Sequence, residues 1–106
     1  YPDPYIGESK GGFVKRDYIL STGKISAKMP SDFEFDYEYN ISSFRMSMQR
    51  GFTDINLESK SNKLIDEMMQ ELRKTNKGQI VSFDEIVAKG SDGIEINLPA
   101  IVFTLK

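Results

Sequence analysis

The chain has 106 residues, a formal net charge of −2, and neither cysteine nor histidine. Without cysteine there are no disulfides, thiolate metal sites or cysteine nucleophiles. Without histidine the commonest general base, metal ligand and pH switch are gone. The balance of 14 basic and 16 acidic residues, with no basic stripe on any segment, excludes a nucleic-acid surface of the usual kind.

The length fits one domain, able to bury roughly 65% of the surface its unfolded chain exposes. No run approaches the ~20 apolar residues of a membrane-spanning helix. The chain starts Tyr1-Pro2-Asp3-Pro4, without an initiator Met or signal peptide, so it is expected to be cut from a longer protein whose anchor or targeting signal lies upstream. Residues 1–12 hold two prolines and three glycines and read as a linker or N-terminal extension. Gly11-Gly12 lacks the lysine and hydroxyl that would follow in a phosphate-binding loop. The single β-rich domain is expected to run over 13–106.

Within 13–22, Tyr18, Ile19 and Leu20 can dock one helical turn, which Gly23 breaks. Ile25, Ala27 and Met29 alternate with Lys24, Ser26 and Lys28, the period of a strand, which Pro30 ends. From Ser31 to Gln49 the pattern predicts a long strand. Phe33, Phe35, Tyr37, Tyr39 and Ile41 form one face and Asp32, Glu34, Asp36 and Glu38 the other. The apolar phase then moves to Phe44, Met46 and Met48, which requires a bulge or bend near Ser42-Ser43. Arg50-Gly51 reverses the chain into a strand over Phe52–Glu58, with Ile55 and Leu57 facing in. Ser61 or Asn62 then caps a helix over Asn62–Thr75, whose stripe of Leu64, Ile65, Met68, Met69 and Leu72 faces the core. Arg73, Lys74 and Lys77 complement its dipole, and Gly78 stands where a C-terminal cap belongs.

The last third, 78–106, organises the rest. Apolar runs Ile80–Ala88 and Ile94–Leu105 flank Lys89-Gly90-Ser91-Asp92-Gly93, which reads as a β-hairpin with a longer loop. Its first strand slips phase as well, from Val81 and Phe83 to Ile86 and Ala88 across Asp84-Glu85. Matched slips in two strands predict a strongly coiled sheet or a sandwich whose strands cross between layers.

Candidate chemistry is sparse. Neighbouring carboxylates along the acidic face, Asp32, Glu34, Asp36 and Glu38, stand about 6.6–7 Å apart at ~3.3 Å rise per residue. That is too far for two to hold one Ca²⁺ directly, and an open strand supplies no cleft for acid–base work. A solvated face is the ordinary reading of these four residues, and a partner-binding surface the functional one. Ser91-Asp92-Gly93 has one edge of a calcium loop but not its spacing, and reads as a turn. Met68 and Met69 could form a plastic binding surface, yet their spacing is what a core-facing helix needs. Serines and lysines are too numerous for their co-occurrence to indicate a nucleophile and base. No catalytic residue, metal ligand or cofactor-binding residue is identified.

Several pieces together resemble the C-terminal periplasmic domain of the GldM (PorM) family of gliding motility and type IX secretion in Bacteroidetes. They are Asp3-Pro4, Gly11-Gly12, Phe33, Phe35-Asp36, Ser43-Phe44 and the amphipathic helix before Gly78. Phe83-Asp84-Glu85-Ile86, Ala88-Lys89-Gly90, Asp92-Gly93, Leu98-Pro99-Ala100-Ile101 and Phe103 follow in order. The chain departs from the family pattern at Ser91, where a proline is expected, and in Ile94–Asn97, where more basic side chains are. The resemblance implies an inner-membrane protein with one N-terminal span and an elongated, dimeric periplasmic body. It implies a motor formed with GldL or PorL through the part upstream of this chain. It also implies contact of the distal end with the outer-membrane-associated ring proteins GldK/GldN or PorK/PorN. The expected fold is mainly β (α+β by count), an immunoglobulin-like sandwich with one amphipathic helix packed on it. The expected function is a non-catalytic, force-transmitting protein-protein interaction module without cofactor or nucleic acid. The alternative is a stand-alone carbohydrate- or peptidoglycan-binding sandwich, which requires the rings of Phe33, Phe35, Tyr37 and Tyr39 to be exposed.

Overall fold

The computed structural model describes residues 2–28 and 39–106. The aromatic and acidic faces expected over 31–38 therefore lie outside the described residues, and Tyr39 is the one ring of that row within them. Strand takes 55% and helix 16% of what is described, so the molecule is mainly β, as the alternation patterns predict. In chain order the elements are β1 (Asp3–Tyr5), β2 (Gly12–Val14), α1 (Arg16–Thr22), β3 (Ser26–Lys28), β4 (Tyr39–Arg50) and β5 (Thr53–Ser59). They continue with α2 (Asp66–Arg73), β6 (Ile80–Gly90), β7 (Glu95–Leu98) and β8 (Ile101–Leu105).

The six-stranded sheet runs β2-β8-β6-β4-β5, with β7 also paired to β6. Pairing is antiparallel throughout except for β2 beside β8. The C-terminal third thus supplies the central strand. Along one edge β6 meets β4, and along the other it meets first β8 and then β7. The second layer holds the small antiparallel sheet of β1 and β3, together with both helices.

Both predicted phase slips are present, and they coincide. In β4, Ile41 is buried on an odd position and Phe44, Met46 and Met48 on even ones. In β6, Val81 and Phe83 give way to Ile86 and Ala88. Ladder irregularities fall between Ile41 and Arg45, yet Ile41 pairs with Ala88 and Arg45 with Asp84, four residues along on both strands. One extra residue on each strand cancels the other, and Glu85 takes the left-handed φ of 47° that such a bulge needs. A third lane joins in, because Leu98 pairs with Ile86 and Ile101 with Phe83, and Pro99-Ala100 spans the gap. A crease therefore crosses three adjacent lanes at one level and keeps the buried apolar side chains of these strands on the same face.

That inner face carries Phe44, Phe83 and Phe103 from β4, β6 and β8. Ring centroids are 6.0 Å and 6.1 Å apart in tilted and edge-to-face arrangements, and each contact contributes about 0.5–1.5 kcal/mol beyond burial. Met68 and Leu72 of α2, Ile19 of α1, and Ile6 and Ile25 complete the core, all fully buried. The methionine-containing stripe is therefore core. Arg50, Gly51 and Phe52 make the expected reversal, with Gly51 at φ 62°.

Three local expectations are corrected. Residues 3–12, read as irregular linker, are built into the fold. Asp3–Tyr5 pairs with Ser26–Lys28, Pro4 is buried, and Ile6 is fully enclosed. Among the described residues β1 pairs with β3 alone, and an edge strand is where a sheet tolerates proline. Helix α2 is shorter than Asn62–Thr75 and begins after Ile65, without a side-chain cap. The backbone of 62–64 is used otherwise, since Ile25 N–H donates to Asn62 O and Leu64 N–H to Gly23 O. The buried Ser59 hydroxyl also donates to Lys63 O at 2.7 Å. These bonds exclude a helical path for the same groups. Gly78 is not the cap. Lys74 ends α2, and Gly78, at φ 91°, lies in the turn where Gln79 N–H donates to Asn76 O.

Candidate functional site

The acidic row proposed as a partner surface, Asp32, Glu34, Asp36 and Glu38, lies outside the described residues. Tyr39, the described end of the aromatic row, is half-buried and packs against the core. Asp92 Oδ1 accepts from Ile94 N–H at 3.0 Å, which is the turn role expected of it. Among the described residues no cluster of three or more Asp and Glu is placed to hold a metal ion. Three of the polar constellations among the described residues bear on a site.

The first sits on the open face of the sheet, at the crease. Arg45 donates from Nε and Nη2 to the two oxygens of Asp84 at 2.8 and 3.1 Å, a bidentate pair, with Glu85 at 3.8 Å. Cross-strand pairing puts Glu58 of β5 opposite Arg45. The Asp84 carboxylate, by hydrogen bond and charge, raises the Arg45 pKa further. Desolvation opposes it, and Glu85 and Glu58 add to it. This cluster is satisfied internally and fastens β4 to β6 where the ladder is interrupted.

The second lies where β4 ends against α2. Arg50 donates to Glu71 Oε2 at 2.6 Å and to Glu71 O at 3.0 Å, and Lys74 stands 3.6 Å from the other carboxylate oxygen. The Arg50 hydrogen bond holds the Glu71 carboxyl below its usual range. Burial works against it, and Lys74 assists.

The third is an open cleft of about 460 Å³ between the start of α1 and the residues that follow α2. Lys15, Arg16, Lys77 and Lys106 line it with Asp17 as the one carboxylate side chain. Arg16 is anchored by donating from Nη1 to Arg73 O and Thr75 O at 2.9 and 3.0 Å, which ties α1 to the last turn of α2 and places a cation at its negative dipole end. Thr75 is held in turn by donating its hydroxyl to Leu72 O. A neighbouring cleft of about 430 Å³ shares Lys15 and Lys106 and adds Phe13 and Tyr18. Phe13 is 71% exposed on the open face, opposite Thr104. The Tyr18 hydroxyl accepts from Glu8 N–H at 2.7 Å, above Gly7. Gly7 has φ 62°, and a Cβ there would overlap that hydroxyl.

No local pattern in the sequence announces this basic cleft. Its four cations come from three separated segments, and only the adjacent Lys15-Arg16 pair and the basic run after α2 hint at it. A strand of alternating carboxylates is visible in one dimension, whereas this cluster requires the chain to be folded.

A family model described as GldM C-terminal domain matches residues 1–106, the whole chain. Comparison with curated proteins gives no match.

Proposed function

This chain belongs to the GldM C-terminal domain family, and from that premise we propose that it is a non-catalytic interaction and force-transmitting module of a gliding and type IX secretion machine. It stands at the distal, periplasmic end of a protein anchored in the inner membrane by its upstream part. Its partners in this reading are ring proteins of the GldK/GldN or PorK/PorN type. The upstream part engages a GldL or PorL partner and carries the homodimer. The family match over the whole chain carries the proposal.

The architecture is consistent with it. The molecule measures 44 × 24 × 20 Å, and its long dimension is about that of the twelve-residue β4 at roughly 3.3 Å per residue. Load applied along β4 is shared by the ladder between β4 and β6 and by the Arg45–Asp84 pair at its crease. The carbohydrate-platform reading gains nothing from Tyr39, whose ring packs inward.

The test is a binding isotherm of the full chain, as monomer and as enforced dimer, with a purified K–N ring complex over a salt series. Saturable binding is the expected result. Absence of binding in both forms overturns the contact role and leaves spacing or self-assembly.

A further inference from the structure

The surface next to β2 combines two properties found together nowhere else among the described residues. It has a concentration of cations that lack ion-pair partners, and it has exposed aromatic rings. Lys15, Lys77 and Lys106 form no salt bridge with any described residue, and Arg16 is bound to carbonyl oxygens rather than to a carboxylate. In a chain of net charge −2, these four cations against the lining side-chain carboxylates Asp17 and Glu8 make a local reversal of sign. It lies beside Phe13 and Tyr18, because Lys15 and Lys106 line both clefts. By contrast the Arg45 cluster is neutralised by its own carboxylates, and Phe52 and Ile94 stand singly at turns.

We propose that this paired cleft docks an acidic peptide segment carrying an apolar side chain, with its carboxylates against Lys15, Lys77 and Lys106 and its apolar group on Phe13 and Tyr18. The inference rests on the reading of the domain as an interaction module and gives the chemistry of one partner segment. Geometry favours a peptide over a simple anion, since an anion satisfies the ammonium groups but leaves Phe13 wet. An anionic bilayer would meet the negative remainder of the chain outside this cluster. Arg16 and Tyr18 are already fixed by hydrogen bonds to the backbone, so little side-chain entropy is lost when a ligand reaches them. The lysines remain free to adjust and give the contact its salt dependence.

The experiment uses the full chain and a fluorescent peptide of alternating glutamate and phenylalanine, read by anisotropy at low and physiological salt. A lysine–phenylalanine peptide, inorganic phosphate and phosphatidylglycerol vesicles are measured in parallel. Saturable binding of the acidic peptide is expected. It should weaken about tenfold or more in the double variant Lys15→Glu/Lys77→Glu, because two exposed attractions become repulsions. Phe13→Ser should weaken it at low and high salt alike, and Lys60→Glu, outside both clefts, should leave it unchanged. Both cleft lysines are exposed, so unaltered thermal melting of the double variant shows that the fold is kept. Failure of the peptide to bind, equal binding by the double variant, or binding of phosphate or vesicles in its place overturns the proposal. The same double variant is then offered the K–N ring complex. Retained ring binding rejects this cleft alone, while absence of ring binding by the unaltered chain rejects the interaction module itself.

Discussion

Glu71 is the residue whose ionisation reports most directly on the fold. Its carboxyl is held below the ordinary 4.5 by Arg50, so below pH 4.5 the unfolded chain takes up the proton first. The stabilisation is complete above that value and is lost as pH falls through the lower folded pKa. Thermal melts from pH 7 to 3 should therefore decline in the unaltered chain and show a shallower decline in Glu71→Gln. A profile of equal slope in both would remove Glu71 from the account. Gly7 makes a second point at this scale. Its φ of 62° and the Tyr18 hydroxyl above it both exclude a side chain, so Gly7→Ala should cost about 1–2 kcal/mol in urea unfolding. Ser59 is a third, being buried and donating to Lys63 O. Ser59→Ala leaves that carbonyl short of a partner and should cost about 1–2 kcal/mol. None of the three is marked in one dimension, because each depends on a neighbour brought by folding.

At the scale of elements, the crease is the feature on which the sheet depends. Ser42 is the extra residue of β4, and its hydroxyl donates to Val87 O at 3.1 Å. Replacing it with alanine removes that bond alone and should cost about 1 kcal/mol. Deleting it forces either Ile41 or the Phe44–Met48 row out of phase with β6, and the chain should lose its cooperative thermal transition. Equal behaviour of the two variants would mean that the bulge carries no register information. The slips were readable from the change of apolar parity in β4 and in the strand after Gly78. That they align across a third lane at Pro99-Ala100 was not, since pairing partners are unknown until the sheet forms. Helix α2 shows the converse. Its core stripe was legible, but its start was not. Ser61 and Asn62 are good caps in isolation, and here tertiary hydrogen bonds from Ile25 and Leu64 hold the backbone extended up to Ile65.

Across the whole molecule, one sheet face is covered and the other open, and substitutions should sort by that distinction. Phe103→Ala, at one end of the ring row and fully buried, should cost about 3–5 kcal/mol. Ile80→Thr and Val102→Thr, 55% and 49% exposed on the opposite face, should change stability by no more than about 0.5 kcal/mol. Urea midpoints for the three variants test the layer assignment. A large loss from either threonine variant would indicate that the open face is covered in solution.

The sequence by itself determined the family, the mainly β class, the core positions of the helix stripe, and the parity changes that demand bulges. All of these follow from local periodicity and from motif order along the chain. Tertiary structure alone decided that the N-terminal segment is part of the fold and that the first strand of the expected C-terminal hairpin, which pairs with β7 as read, lies in the middle of the sheet. It also decided that cations from three segments share one cleft. Hydrogen-bond partners and charge neighbours are set by distance in space, and periodicity specifies which way a side chain points but not what it meets.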